Sequence, residues 1–209
     1  YAGGYYSRND RSFWGYQTVR SIRMLNATGD EKWTTVTKTY KDNDNYYLRD
    51  KVTFVEVTDA SGTTLSEETT EYDDSLVSTG SRFVYVKWTE SKETDGTGTI
   101  VRETVFKDYD DWGNPLTVIN RVGGKLRNTI TISYRDPVEV NGHFIASHPT
   151  GLEVRGANGE LLRKRGGDYD DRGRLTHHRD YWGESDTDAL ETRFYYTDSG
   201  NLERIRDEA

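Results

Sequence analysis

Alternating apolar and polar positions run through much of the chain and predict β-strands. Residues 84–89 (VYVKWT), 101–106 (VRETVF) and 129–134 (TITISY) are rich in β-branched and aromatic side chains, and several of these segments alternate. Residues 63–72 carry many Thr and Glu residues, which is typical of a strand with a water-facing side. The best candidates for a helical turn, 48–51 and 186–192, are short. The pattern therefore predicts an all-β fold of successive antiparallel hairpins.

A short phrase occurs three times and predicts the turns of these hairpins. It reads YDDWGNPL at 109–116, YDDRGRL at 169–175 and YTDSGNL at 196–202. In each copy an aromatic residue stands four positions before a glycine, acidic residues lie between them, and a leucine follows. Asp and Asn form turns by bonding their own backbone, and glycine supplies the positive φ that other residues reach only with strain. We expect the tyrosine to end one strand, the leucine to start the next, and the glycine to resist substitution.

The spacing of the phrase is loose. Tyr109 and Tyr169 are 169 − 109 = 60 residues apart, whereas Tyr169 and Tyr196 are 196 − 169 = 27 apart, so roughly two units fit in the longer interval. Degenerate copies occur at 155–161 and, with one inserted residue, at 58–62, and a fainter copy lies at 25–30. The residues assigned to this structural repeat are Tyr109, Asp110, Gly113, Leu116, Tyr169, Asp170, Gly173, Leu175, Tyr196, Asp198, Gly200 and Leu202.

Composition agrees with a β protein that has a thin core. Only 33% of the residues are hydrophobic and 31% are charged, yet 12% are aromatic, whereas a disordered chain would be depleted in aromatic residues. The net charge of −8 and the scattered Lys and Arg residues argue against a nucleic-acid partner. No signal peptide and no apolar run long enough to span a bilayer are present. Because the chain starts at Tyr1, we expect it to be a fragment of a longer protein.

Candidate catalytic and metal-binding residues form no recognisable site. The chain has no cysteine, which excludes thiol nucleophiles, disulfides and Cys-rich metal sites. The acidic clusters at 108–111 and 168–171 lack the alternating ligands, glycine and distal Glu of a calcium loop, so we interpret them as turn residues. His177 and His178 are adjacent and would point to opposite faces of a strand. We therefore predict no catalytic residue, no metal, no cofactor and a non-enzymatic role.

The repeated phrase resembles the YD repeat of the rearrangement-hotspot (Rhs) proteins, the toxin-complex B components and the teneurins. The segments GGYY at 3–6 and RSFWGY at 11–16 are similar to a stretch of the virulence-plasmid B and insecticidal toxin-complex B proteins. The resemblance implies a lead-in β segment at 1–50 and YD-like hairpin repeats at 51–209, as part of a spiral β-shell or an adjoining β module. It also implies a secreted or cell-surface location. The implied partners are other segments of the same long chain and a toxin-complex subunit.

Two hypotheses of function remain open. The first is a structural module of a large toxin-like protein, forming part of a β-shell that encloses or carries a C-terminal toxin. The second is a carbohydrate-binding β module in which exposed aromatic rings stack on a glycan. Burial of the aromatic rings between strands favours the first hypothesis, and a row of exposed rings favours the second. The candidate glycan-stacking residues are Tyr5, Tyr6, Trp14, Tyr46, Tyr47, Tyr181 and Trp182.

Overall fold

The structure, a computed structural model, describes residues 2–7, 12–24, 32–39, 47–48, 51–76, 82–95, 97–140, 143–185 and 187–208. These residues contain β-strands and no helix, which confirms the predicted all-β class. Residues 189–192, a candidate for a helical turn, lie in a strand. The strands are β1 (Ala2–Ser7), β2 (Ser12–Met24), β3 (Lys32–Thr39), β4 (Val52–Thr58), β5 (Thr64–Leu76), β6 (Arg82–Asp95), β7 (Gly98–Tyr109), β8 (Pro115–Val122), β9 (Lys125–Tyr134), β10 (Val138–Val140), β11 (His143–Ile145), β12 (Pro149–Gly156), β13 (Leu161–Tyr169), β14 (Leu175–Tyr181), β15 (Ala189–Tyr196) and β16 (Leu202–Glu208).

Consecutive strands pair with each other, as expected for a series of hairpins. In the part of the chain that the structure describes, fourteen strands are hydrogen-bonded in the order β1-β2-β3-β4-β5-β6-β7-β8-β9-β12-β13-β14-β15-β16, and β10 and β11 form a separate two-stranded sheet. Pairings such as β13 with β14 and β15 with β16 are antiparallel. The short connections and the alternating side chains produce this arrangement because antiparallel neighbours can be joined by tight turns.

The chain divides into two compact units. The first comprises residues 1–106 and 120–125, and the second comprises residues 107–119 and 126–209. The predicted boundary after residue 50 stays a prediction; β3 and β4, on either side of it, pair with each other. The faint repeat copy at 25–30 lies outside the described residues.

Few side chains are deeply buried. Among the hydrophobic side chains that the structure describes, only Leu48, at 4% exposure, and Val118, at 8%, are buried. All seven residues of β14 have intermediate exposure. Half-exposed side chains contribute less hydrophobic free energy to folding than fully buried side chains do. Backbone hydrogen bonds and cross-strand side-chain pairs therefore have a larger share in holding this sheet together.

Candidate functional site

Five turns share one backbone geometry, and three of them are the repeated phrase. In each, the N–H of the first residue donates to the carbonyl oxygen of the fifth, and the N–H of a glycine at the fourth position donates to the carbonyl oxygen of the first. The turns begin at Asp59, Asp110, Gly156, Asp170 and Thr197, and the glycines are Gly62, Gly113, Gly159, Gly173 and Gly200. These glycines have φ between +76° and +92°, which explains the residue type. The copy at 58–62 needs no inserted residue, contrary to the prediction, because Asp59 and Gly62 have the standard spacing.

The acidic residue that begins the turn accepts hydrogen bonds inside it. Oδ1 of Asp170 accepts the N–H groups of Arg172 and Arg174, both at 2.9 Å, and Oδ2 accepts Nε of Arg174 at 2.7 Å. Oδ1 of Asp110 bonds the two equivalent N–H groups of its own turn at 2.9 and 2.8 Å. Burial alone would raise the pKa of the Asp170 carboxyl, but the hydrogen bonds from Arg174 and Arg172 outweigh it and lower that pKa. These carboxylates therefore stabilise the turns in which they lie.

The third copy of the phrase uses a different residue at this position. Thr197, not Asp198, stands where Asp110 and Asp170 stand, because the phrase there reads YTDSG. Oγ1 of Thr197 accepts the N–H of Asn201 at 3.1 Å. The side chain of Asp198 therefore does not have the role that the sequence analysis assigned to it.

In the second and third copies of the phrase, the tyrosine links its hairpin to a neighbouring strand. The hydroxyl of Tyr169 donates to the carbonyl oxygen of Pro149 at 3.1 Å, and that of Tyr196 donates to the carbonyl oxygen of Leu175 at 2.8 Å. In both cases the end of one strand is joined to the start of the strand before it. Tyr169 and Leu175 are register partners, as are Tyr196 and Leu202, so the predicted tyrosine–leucine pairs meet across the hairpin.

Tyr134 has the same role as Tyr169 and Tyr196, and the sequence analysis missed it. Tyr134 ends β9, and its hydroxyl donates to the carbonyl oxygen of Pro115 at 3.4 Å. No five-residue turn follows it; residues 135–148, which include β10 and β11, form a longer connection to β12. No glycine stands four positions after Tyr134, so the segment does not match the repeated phrase. Its spacing could have identified it, because Tyr134 follows Tyr109 by 134 − 109 = 25 residues, close to the interval of 27 between Tyr169 and Tyr196.

The long connection bonds the turns beside it. Nδ2 of Asn114 donates to the carbonyl oxygen of Ala146 at 2.6 Å, and the ring of Trp112 stacks on that of Phe144 with centroids 6.1 Å apart. Nη1 of Arg135 donates to the carbonyl oxygen of Asp170 at 2.7 Å. The connection therefore joins the first and second copies of the phrase, which are far apart in sequence.

The second and third copies are joined in the same way. Nη1 of Arg172 donates to the carbonyl oxygen of Asp198 at 2.9 Å. The guanidinium of Arg174 lies 4.6 Å from the ring centroid of Tyr196, a cation–π distance. We call the turns 110–114, 170–174 and 197–201, together with the connection 135–148, the turn edge. Along the turn edge, side-chain donors of one segment bond carbonyl oxygens of the next.

His148 lies in the turn edge, where its surroundings lower its pKa. Its ring stacks on that of Tyr169 with centroids 4.3 Å apart. Its Nδ1 is buried and has no hydrogen-bond partner among the residues that the structure describes. Burial lowers the pKa of His148, and the positive charge of Arg135 lowers it further. A protonated ring would therefore weaken this contact.

One face of β13 to β16 carries a row of ion pairs. Nη2 of Arg179 bonds Asp168 at 2.5 Å, and its Nε bonds Glu191 at 2.8 Å. Arg193 bonds Glu191 at 2.7 Å and Glu208 at 2.8 Å. The hydrogen bond from Arg179 lowers the pKa of Asp168, and those from Arg193 and Arg179 lower the pKa of Glu191. The charged residues of these strands therefore pair across the sheet.

The two adjacent histidines have different neighbours. Nδ1 of His177 lies 3.7 Å from Asp168, and Nδ1 of His178 lies 3.7 Å from Asp180. Across the described ranges, no group of three or more His, Asp or Glu side chains is placed to hold a metal ion. The same ranges hold no helix with the length and apolar character needed to cross a membrane.

The described glycan-stacking candidates have different surroundings. Tyr46 and the side chains of Tyr5, Tyr6 and Trp14 lie outside the described residues, although the last three are positions in β1 and β2. Tyr47 and Trp182 are exposed, Trp182 at 77%. The ring of Tyr181 lies over Gly166, with its hydroxyl 3.0 Å from where a Cβ would be, and the Lys164 ammonium is 5.4 Å from its centroid. Glycan stacking by these residues stays a prediction.

Comparisons with known proteins show the fold. No family model matches the chain, and no curated protein matches it. The chain is similar to a structure of the Photorhabdus luminescens Tc holotoxin pore with a TccC3 mutation, at 10% identity and a TM-score of 0.67, over 87% of this chain and 14% of that one. It is also similar to the crystal structure of TcdB2-TccC3-Cdc42, at 12% identity and a TM-score of 0.63, over 95% of this chain and 15% of that one. The chain thus spans about a seventh of these solved chains and shares their fold.

Proposed function

We propose that this chain is a non-enzymatic structural module of a large toxin-like YD-repeat protein. In that protein it forms part of a β-shell that encloses or carries a C-terminal toxin. The turn edge carries this proposal. Each hairpin there is tied to the next through bonds such as Arg135 to the Asp170 carbonyl and Arg172 to the Asp198 carbonyl. A sheet extended by repeating such links can enclose a volume without a separate core for every segment.

The thin core supports the same role. Half-exposed side chains on neighbouring strands suit a wall that is stabilised by the segments on each side of it. Nearest-neighbour links are the main stabilising interactions in other repeat proteins, in which a single unit is unstable alone. On this proposal, the partners of the chain are other segments of the same long polypeptide and a toxin-complex subunit. Its location is then outside the cell or on the cell surface.

The structure of the whole polypeptide tests the proposal. Electron cryomicroscopy of the protein that carries this chain, purified from its natural source, should show these hairpins as a wall one sheet thick around a lumen. Density for a polypeptide inside the lumen would support the enclosure role. A solid β-sandwich with no lumen, in which these strands pack face to face with another sheet, would contradict it.

The second candidate function is carbohydrate binding, and the exposure of Trp182 is the observation that favours it. An exposed indole ring can stack on the apolar face of a sugar. A glycan array probed with the wild-type chain and with Trp182→Ala tests it, and Trp112→Ala serves as a matched control because Trp112 is also exposed, at 53%. Glycan binding that Trp182→Ala abolishes and Trp112→Ala preserves would support this alternative over the structural role.

A further inference from the structure

The connection 135–148 is attached to the neighbouring turns through a small set of contacts. Its two ends are joined by the N–H of Arg135, which donates to the carbonyl oxygen of His148 at 2.9 Å. Nη1 of Arg135 also donates to the carbonyl oxygen of Tyr169 at 3.1 Å. On the other side, the carbonyl oxygen of Ala146 accepts Nδ2 of Asn114 at 2.6 Å. Loss of one contact in such a small set weakens the attachment of the whole connection.

The imidazole ring of His148 fits closely against the second turn. It stacks on Tyr169, with the ring centroids 4.3 Å apart. A Cβ at Gly173 would lie 2.6 Å from Cε1 and 3.3 Å from Nε2 of the ring, and 2.9 Å from Cδ1 of Ile145 in β11. The ring and the Ile145 side chain therefore fill the space over a residue that has no side chain. The connection docks on the turn 170–174 through this fit.

The surroundings of the ring disfavour a proton on it. Nδ1 of His148 is buried and has no hydrogen-bond partner in the described part of the chain, so an imidazolium there would hold a buried N–H donor without an acceptor. Burial is the larger cause of the lowered pKa of His148, and the positive charge of Arg135 adds to it. Protonation therefore opposes docking on both counts.

The other charged groups near this contact do not offset that cost. Asp170 is bound to Arg174 at 2.6 Å, and the fully exposed Asp171 lies 3.9 Å from Nη2 of Arg135. Within the described ranges, no carboxylate forms an ion pair with the ring of His148, whereas His177 and His178 each have an aspartate at 3.7 Å. The remaining charged side chains described in the second turn and the connection are Arg172, Asp136 and Glu139.

We propose that His148 is an acid-sensitive latch, whose protonation releases the connection 135–148 from the turn 170–174 while β9, β12 and β13 stay paired. The docked ring holds a proton less tightly than a solvated ring does, so the detached connection takes up the proton first as the pH falls. Each pKa unit of that difference favours detachment about tenfold once the ring is protonated. The pairing of β12 with β9 and β13 begins after His148 and does not include it. The latch would act in this chain whether or not the chain belongs to a shell.

The side-chain amide of Asn114 reports whether the connection is attached, because it bonds the carbonyl oxygen of Ala146. Nuclear magnetic resonance of the ¹⁵N-labelled chain follows this signal from about pH 7.5 to about pH 5, on either side of the ordinary histidine pKa. The signal should move to the position of a solvated amide, with a midpoint below pH 6.5 that the Cε1 proton of His148 shares. The amide of Asn201, which bonds Ser199 in the third turn, is the internal control and should not move.

Two variants separate the latch from other effects of acid. In His148→Phe the Asn114 signal should stay in place across the same pH range. His178→Phe removes a histidine that lies beside Asp180 instead, so the transition should persist there with an unchanged midpoint. The proposal would be overturned by an Asn114 signal that stays fixed while His148 titrates, or by a transition that persists in His148→Phe. Simultaneous loss of the β12 and β13 signals would also overturn it, because the event would then be global unfolding.

Discussion

The hydroxyl of Tyr169 donates a hydrogen bond to the carbonyl oxygen of Pro149 at 3.1 Å, and this bond ties one hairpin to the strand before it. The equivalent hydroxyl of Tyr196 bonds Leu175 at 2.8 Å. The repetition gives a physical reason for tyrosine at the start of the phrase. Phenylalanine would keep the apolar ring but would lose the link.

Removing these hydroxyls should weaken the sheet. Tyr169→Phe and Tyr196→Phe should each lower the free energy of unfolding by about 0.5–1.5 kcal/mol, the usual contribution of one hydrogen bond. Urea unfolding followed by circular dichroism measures this change. Tyr181→Phe is the matched control, since the Tyr181 hydroxyl bonds no group in the described part of the chain. Equal losses in all three variants would contradict the proposed link.

Two glycines with similar positive φ should differ in their tolerance of alanine. Gly159, at φ +84°, has no atom within 4 Å of the position that a Cβ would take, whereas at Gly173, at φ +76°, the Cβ would lie 2.6 Å from Cε1 of His148. Gly159→Ala should cost about 1 kcal/mol through backbone strain alone. Gly173→Ala should cost about 2–3 kcal/mol, because the stacked histidine must also move. Chemical denaturation of both variants tests this, and equal costs would show that the His148 contact is unimportant.

Replacing the threonine that begins the third turn should stabilise the chain. Thr197→Asp should stabilise the chain by about 0.5–1 kcal/mol, since a carboxylate there can accept the N–H bonds that Asp110 and Asp170 accept in their turns. Ser199→Asp adds the same charge to the same turn at another position and should give no such gain. A thermal unfolding midpoint that rises only for Thr197→Asp would support this prediction, and a fall or an equal rise in both would argue against it.

Lowering the pH should destabilise the folded chain, because His148 takes up a proton. Its pKa in the folded chain is below the ordinary value of 6.5, so the unfolded chain takes up the proton first as the pH falls. The contribution of His148 to stability is therefore complete above pH 6.5 and declines as the pH falls through the folded-state pKa. The lowered pKa values of Asp168 and Asp170 act only below their ordinary value of 3.8.

A variant isolates this effect. His148→Phe keeps a ring against Tyr169 and cannot take up a proton, so its stability should fall less than that of the wild type between pH 7 and pH 5, a window of about two units chosen around the ordinary histidine pKa. Urea unfolding at several pH values provides the comparison. If the free energy of unfolding changed with pH in the same way in both proteins, protonation of His148 would not be the cause of the loss of stability in acid.

The sequence predicts the turns well because their geometry is local. A glycine with positive φ and an Asp that bonds its own backbone leave a recognisable phrase within a few residues, as at Asp170 and Gly173. The pairing of Tyr169 with Leu175 follows from the same short spacing. The all-β class follows from strand alternation in the same way.

Other features leave only a weak signal in the sequence or none. Tyr134 belongs to the tyrosine series, but the connection 135–148 replaces its turn and removes the glycine. The contact of His148 with Gly173 and the ion pair of Arg179 with Glu191 arise only once hairpin lengths have fixed which residues lie opposite each other. Residue type alone favours Asp198 for the first position of the third turn, whereas the backbone bonds of the turn place Thr197 there.

The most direct test of the account is whether successive copies of the phrase lie side by side. The chain has no native cysteine, so the pair Arg172→Cys and Asp198→Cys can be probed with a short bismaleimide. The pair Arg172→Cys and Asn158→Cys is the control, because β13 separates their two turns. We expect rapid intramolecular cross-linking, detected by mass spectrometry, in the first pair and little in the second. Equal cross-linking in both pairs, or none in the first, would contradict a turn edge built from neighbouring YD-like hairpins.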